Sequence, residues 1–346
     1  MATHAKPSEA TRRVSVGSVP LGGGAPVVVQ SMLNAPATDV AANLVQIDAL
    51  AQAGCEIVRM AIPHRSSLDV FQAVCDAVAL WPVVADIHFD ARSLSAARAA
   101  KLRMQPRRTS GGLAKTDAVL DAAGEAGIPI RIGVNAGSLD NELAARDDLS
   151  QSEKLARSAA DYVRYCEGRG FHDLVVSAKA HDVMTTVRTY RLLSKELPHV
   201  PLHIGVTEAG TTFQGAIKSA CGLGILLEEG IGDTLRISLT DDLVNEIRAC
   251  WTLLAALDLR RRAPSSSAAP PAGAARSTSS ALPSRSRSAS RRCASRSRWP
   301  SWDAWSTGPA RPPTPTSAWP AATAWASFFP KARPSARSTR PTSWTL

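Results

Sequence analysis

The sequence predicts an α/β fold of the (β/α)8 TIM-barrel class over residues 1–262, followed by a low-complexity tail over residues 263–346. Three observations carry that prediction. Short apolar runs rich in β-branched residues alternate with longer stretches of helical periodicity. Glycine or proline punctuates the returns between them. Charged residues gather where the apolar runs end, which is where a parallel barrel places its chemistry.

Taken in order, the first strand is read over 27–32, behind a Gly22-Gly23-Gly24 turn, and its helix over 40–53 ends at Gly54. The second strand (57–62) and third (83–89) are followed by apolar-periodic stretches near 67–80 and 91–100. A fourth strand, 101–106, precedes a helix at 115–126 that stops at Gly127-Ile128-Pro129. The fifth (128–134) leads to a long helix at 151–169 closed by Gly170. The sixth (173–179) leads to a helix at 182–196 stopped by Pro198. The seventh (201–206) and eighth (233–239) precede helices at 214–229 and 241–257, with Gly230 between them. Eight strand–helix units in roughly 240 residues match a (β/α)8 barrel in count and length. A doubly wound open sheet also alternates strand and helix, but no glycine fingerprint follows the first strand here.

The formal charge of +10 suggests a nucleic-acid binder until its location is considered. Twelve of the 40 cations but one of the 30 acids, Asp303, lie from Ala263 onward, leaving 28 cations against 29 acids in residues 1–262. The basic character belongs to the tail. No apolar run approaches a membrane span, and residues 1–13 lack the hydrophobic centre of a signal peptide. The six cysteines are scattered without paired spacing, which fits reduced thiols in the cytoplasm and no metal site.

The predicted strand ends are crowded with cations: Arg59, Arg103, Arg131, Lys179 and Arg236. The obvious strand-end acids are Asp86 and Glu208. Unpaired buried cations are costly, and guanidinium forks suit phosphate oxygens, so an anionic ligand with more than one charge is expected. A helix-paired structural network is the alternative. Ser238 can add a donor to the same anion, and His88 shares the strand parity of Asp86. Lys179 also admits a Schiff-base reading, which four neighbouring arginines disfavour.

Several segments make the pattern specific: Val29-Gln30-Ser31-Met32, 84–90 (Val-Ala-Asp-Ile-His-Phe-Asp), 130–139 (Ile-Arg-Ile-Gly-Val-Asn-Ala-Gly-Ser-Leu), 205–210 (Gly-Val-Thr-Glu-Ala-Gly) and 230–239 (Gly-Ile-Gly-Asp-Thr-Leu-Arg-Ile-Ser-Leu). Together they resemble the 4-hydroxy-3-methylbut-2-enyl diphosphate synthase family, in order, from about residue 13 to 257. The resemblance implies reductive ring opening of 2-C-methyl-D-erythritol 2,4-cyclodiphosphate in the non-mevalonate isoprenoid pathway. It also implies a 4Fe–4S cluster, flavodoxin or ferredoxin as electron donor, and a homodimer. Carried over by motif, Arg59, Arg103, Arg131, Lys179, Arg236 and Ser238 hold the cyclic diphosphate. Asp86, Asn135 and Glu208 contact its sugar-derived part, with Asp86 and Glu208 as the catalytic candidates and Glu208 the acid/base residue. One departure follows the fourth strand. The family has a turn like Asn-Pro-Gly-Asn-Ile-Gly where residues 105–110 read Gln-Pro-Arg-Arg-Thr-Ser, so the asparagine and the flexible glycine of that substrate loop are gone.

The family's second, iron–sulfur domain holds its cluster with three cysteines and a glutamate, in Cys-Pro-x-Cys-Gly-Arg and Gly-Cys-Val-Val-Asn-Gly-Pro-Gly-Glu segments. Residues 263–346 contain neither. They have no Val, Ile, Met, Tyr, Asn, Gln, Glu or His, so they lack the side chains to build a core and are expected to be disordered. A reading-frame change explains the composition. Residues 302–311 (Trp-Asp-Ala-Trp-Ser-Thr-Gly-Pro-Ala-Arg) can be encoded so that a one-base shift reads Met-Gly-Cys-Val-Val-Asn-Gly-Pro-Gly-Glu. The same shift lets 269–274 read Cys-Pro-Thr-Cys-Gly-Arg and 323–326 read Asp-Gly-Val-Gly, placing its origin between about 257 and 269. The expectation is a substrate-binding barrel that has lost its redox centre. Two other readings are a dihydropteroate-synthase-like barrel without a cluster, and an RNA-binding protein using the arginine–serine run at 285–292. Recovery of both cluster motifs in one frame disfavours the second.

Overall fold

The computed structural model describes residues 8–78, 81–87, 99–105, 113–207 and 209–262. These all fall within one compact unit of the chain, which divides at 272/273. The tail from Ala263, its expected disorder and Cys293 lie outside the described residues, as do His88, the turn residues 106–110 and Glu208.

The chain opens with an antiparallel hairpin, β1 (Val14–Val16) and β2 (Val19–Leu21). The barrel then runs β3 (Val28–Met32), α1 (Val40–Ala53), β4 (Ile57–Ile62), α2 (Leu68–Val78), β5 (Val83–Ile87) and β6 (Lys101–Met104). It continues with α3 (Leu113–Ala126), β7 (Ile130–Asn135), α4 (Asn141–Ala144), α5 (Gln151–Gly168), β8 (Leu174–Lys179) and α6 (Val183–Glu196). The circuit finishes with β9 (His203–Ile204), α7 (Thr212–Glu228), β10 (Thr234–Leu235) and α8 (Leu243–Ala256).

Strands β3 to β10 form one eight-stranded parallel sheet in the order β8-β7-β6-β5-β4-β3-β10-β9. The two ends of that order meet through a parallel bridge between Val176 and Leu202 and the bond from the Val176 amide to the Pro201 carbonyl, 2.9 Å. The predicted α/β barrel class is therefore the observed one. Among the described residues no helix is long and apolar enough to cross a membrane.

Local chemistry explains the boundaries. Asp39, Ser150, Asp182 and Asp242 cap their helices by accepting backbone N–H bonds, and Ser150 with Glu153 forms a reciprocal capping box. Gly54 ends α1 at φ 96°, a left-handed conformation that a side chain resists. The predicted eighth strand is cut to Thr234–Leu235 and the seventh to His203–Ile204. The helix expected at 91–100 lies outside the described residues except for Ala99 and Ala100, which are not helical.

The hairpin is the element the sequence reading missed. Val14, Val16 and Leu21 are buried and pack with Val28, Ile57, Val84 and Val175, which sit at the N-terminal ends of β3, β4, β5 and β8. An apolar floor thus closes one end of the barrel. Counting two residues up each strand from that floor reaches a polar interior: Gln30, Arg59, Asp86 and Ser177.

Candidate functional site

The strand register brings Arg59, Asp86, Arg103, Arg131, Asn135 and Lys179 onto five neighbouring strands. Asp86 on β5 pairs with Arg103 on β6, and Arg103 with Arg131 on β7. Asn135 on β7 pairs with Lys179 on β8. A connected polar chain crosses four strands, β4 to β7. Arg59 Nε lies 3.6 Å from Asp86 Oδ2, and Arg103 Nη1 donates to Asp86 Oδ1 at 2.8 Å. Gln105 Oε1 accepts from Arg103 Nη2 at 3.5 Å while Gln105 Nε2 donates to Asn135 Oδ1 at 3.1 Å. The residue that departs from the family turn is therefore a buried bridge between two predicted ligand-binding residues.

The other side of the mouth is anchored from a helix. Glu246, in the first turn of α8, accepts from Arg236 Nη2 at 3.2 Å, from Ser31 Oγ at 3.0 Å and from the Leu239 amide at 3.0 Å. Met32 joins the two halves, its sulfur taking Arg59 Nε at 3.2 Å and Arg236 Nη1 at 3.9 Å. Ser238 follows Arg236 by two residues and is half-buried. Asp86 is thus not the sole described acid serving the cations. Sequence reasoning missed Glu246 because it does not sit at a strand end. Its signal was an acid on the apolar stripe of Leu243, Ile247, Cys250 and Leu254.

Glycines make room for the cations. A Cβ at Gly133 would lie 2.8 Å from Arg103 Nε, and one at Gly205 would lie 2.6 Å from Lys179 Nζ and 2.7 Å from the Arg236 carbonyl. Lys179 Nζ is 3.2 Å from His203 Nε2. Deeper still, Lys101 and Arg131 are almost fully buried, and Lys101 Nζ and Arg131 Nε and Nη1 have no hydrogen-bond partner.

The electrostatics follow from this crowding. Burial, and then the neighbouring cations Arg236 and Arg103 against the opposing pull of Asp86, bring Arg59 down to about 9. Burial, followed by Arg59 and Arg103, drives Arg131 well below the usual guanidinium range. Lys101 and Lys179 are also driven well below the ordinary lysine range, by burial first and Arg131 next. The mouth resists holding all its positive charges at once.

The cysteines do not assemble a metal or cluster site among the described residues. Cys55, Cys75, Cys166 and Cys250 are buried and Cys221 is exposed, and none of the five is in a disulfide. Burial pushes the thiols of Cys55, Cys166 and Cys250 up to about 12, whereas a cluster needs thiolates. No group of three or more His, Cys, Asp or Glu that could hold a metal ion occurs among the described residues.

Fold and mouth define the class: a (β/α)8 barrel with a cation-rich opening at the C-terminal ends of its strands. Residues 11–251 match the GcpE TIM-barrel domain. The 4-hydroxy-3-methylbut-2-en-1-yl diphosphate synthase (flavodoxin) of Geobacter sulfurreducens is 48% identical over 255 residues, covering 73% of this chain and 71% of that protein. Its counterpart in Lawsonia intracellularis is 44% identical over 268 residues, covering 77% and 74%. The chain belongs to the GcpE family. Among solved structures, dihydropteroate synthase from Xanthomonas albilineans superposes with a TM-score of 0.52 at 16% identity, covering 72% of this chain and 98% of that one. The Yersinia pestis enzyme gives 0.51 at 13%, covering 72% and 100%. At such identities the likeness is one of fold alone, and the relatives' identity does not favour a pterin-binding reading.

Proposed function

We propose that the barrel mouth binds 2-C-methyl-D-erythritol 2,4-cyclodiphosphate, with its phosphates on Arg59, Arg103, Arg131, Lys179, Arg236 and Ser238. The observation that carries this reading is the charge imbalance. Among the described residues Asp86 and Glu246 pair with the mouth cations, while Lys101 and Arg131 are buried with unpartnered nitrogens. Such cations cost several kcal/mol each when unpaired. A multiply charged cyclic diphosphate offsets that cost, and guanidinium forks match its oxygens. The names of the relatives, synthases of an allylic diphosphate, support a diphosphate ligand of this class.

In this reading Asp86 and Asn135 hold the sugar-derived part, and Glu208 is the acid/base residue. The family reaction opens the ring with two electrons and two protons and releases water. Flavodoxin, printed in the relatives' names, is the electron donor we favour over ferredoxin. The family's 4Fe–4S cluster does not fit the described cysteines, and the residues from 263 offer Cys293 alone. The chain is thus read as a cytoplasmic substrate-binding barrel that does not turn over, its cluster domain lost to a change of reading frame.

Calorimetric titration of the 346-residue protein with the cyclodiphosphate tests both halves. Saturable binding without turnover by reduced flavodoxin is expected. Absence of binding by the folded protein sinks the ligand assignment, and iron–sulfur absorbance with turnover sinks the inactivity.

A further inference from the structure

We propose that His203 is a positioning residue for Lys179, aiming its ammonium at the mouth while leaving its charge uncancelled; this rests on the reading that Lys179 contacts the diphosphate. His203 and Gly205 alternate along the seventh predicted strand and serve the same lysine. Gly205 supplies the space, since a Cβ there would sit 2.6 Å from Lys179 Nζ. His203 supplies the acceptor, its Nε2 3.2 Å from that Nζ, and its Nδ1 lies 3.4 Å from Thr234 Oγ1.

When Lys179 is protonated, as beside a bound anion, the hydrogen bonds fix the tautomer. An ammonium can donate but not accept, so Nε2 then carries the lone pair. Nδ1 then carries the proton, and Thr234 Oγ1 accepts it. The backbone that carries the ring is held, because the His203 carbonyl accepts from Tyr190 Oη at 2.6 Å, and Tyr190 Oη accepts from the Ala178 amide at 3.2 Å. Tyr190 on α6 thereby ties the backbone of β9 to that of β8, next to Lys179 itself.

A carboxylate at 203 would hold Lys179 more strongly but would cancel the charge the mouth presents. A neutral acceptor directs the ammonium and leaves that charge available. Burial, with Lys179, Arg131 and Lys101 nearby, keeps the imidazole neutral by driving it well below its ordinary value.

The test compares wild type, H203A, H203Q and K179M, with H203A/K179M completing a double-mutant cycle. Each is first checked for folding by thermal unfolding. Gln at 203 can present an amide oxygen near the Nε2 position. H203A is expected to weaken cyclodiphosphate binding about tenfold, the usual weight of a hydrogen bond to a charged group. H203Q is expected to recover most of it, and H203A to cost nothing further once K179M is present. Equal losses in H203A and H203Q, or an undiminished H203A loss in the K179M background, mean that His203 is packing and overturn the proposal. Titration of the same proteins with inorganic pyrophosphate separates the two readings. If pyrophosphate binds with this pattern and the cyclodiphosphate does not bind, the substrate reading fails and the positioning role stands. Long-range nitrogen-15 NMR of the histidine-labelled protein with pyrophosphate bound checks the tautomer: Nδ1 protonated and Nε2 bare is expected, and the reverse overturns the proposal.

Discussion

Glu246 reaches from the first turn of α8 to Arg236, Oε1 to Nη2 at 3.2 Å, and fixes a mouth cation from outside the sheet. The same carboxylate holds Ser31 and the Leu239 amide, so β3, α8 and the segment after β10 share one anchor. Truncation by E246A strands Arg236 in a largely buried site. A loss of about 3 kcal/mol in urea unfolding is expected, near the low end for breaking a buried pair. Saturating pyrophosphate is expected to restore part of it, because the ligand supplies the missing charge. A loss below about 0.5 kcal/mol would assign the pair to the weak surface class.

Asp86 sits between two cations, 3.6 Å from Arg59 and 2.8 Å from Arg103. D86N is expected to destabilise the barrel by about 3 kcal/mol, read by the same unfolding measurement. It is also expected to tighten inorganic pyrophosphate binding, since a competing negative charge is removed. Cyclodiphosphate binding should not tighten in parallel, because Asp86 is read as a contact to the organic part. Parallel tightening would remove Asp86 from that role.

Lys179 is held well below the usual lysine range by burial, then Arg131 and Arg236. A bound polyanion reverses the balance and raises it, so ligand binding takes up protons. Calorimetry between the lowered value and the ordinary lysine value, in buffers of different ionisation heats, is expected to show net uptake, and affinity is expected to fall as pH rises through the complex's value. Proton release on binding would contradict this assignment.

Asp233 is a second titrating group, at the opposite end of the strands from the mouth. It accepts from Thr11 Oγ1 at 3.0 Å and from the Leu202 amide at 2.7 Å, and burial raises it from 3.8 to about 6. A carboxyl raised by folding binds its proton more tightly in the native state, so its contribution to stability is present at low pH and is lost between about 4 and 6. The size is on the order of 3 kcal/mol. The unfolding free energy of D233N should therefore rise relative to that of wild type, by that order, as pH rises across this window. A flat difference would refute the titration of Asp233 there.

A one-base correction of the gene between codons 257 and 269 is expected to yield protein with iron–sulfur absorbance and reductive turnover. Failure to acquire a cluster under reconstitution would refute the frame reading.

The barrel was legible because its burial pattern is regular. The second strand and the first helix match at both ends, Ile57–Ile62 and Val40–Ala53, since their periods of two and near four coincide with buried faces. The hairpin was not legible. Each of its strands has three residues, one of them Pro20, too few to show a period. Arg59, Arg103 and Asp86 were visible as charges at strand ends. Glu246, His203, Lys101 and Gln105 were not, because their roles depend on what crosses the barrel interior. Counting along one strand tells which face a residue occupies, but not how deep it lies or which helix reaches it.

Among the described residues, the hairpin floor of Val14, Val16 and Leu21 seals the far end of the barrel, so the polar interior faces the mouth. Any occupant of the mouth therefore also acts as a stopper. Groups behind it, the buried Lys101 and Gln30 among them, are screened from solvent for as long as the occupant stays.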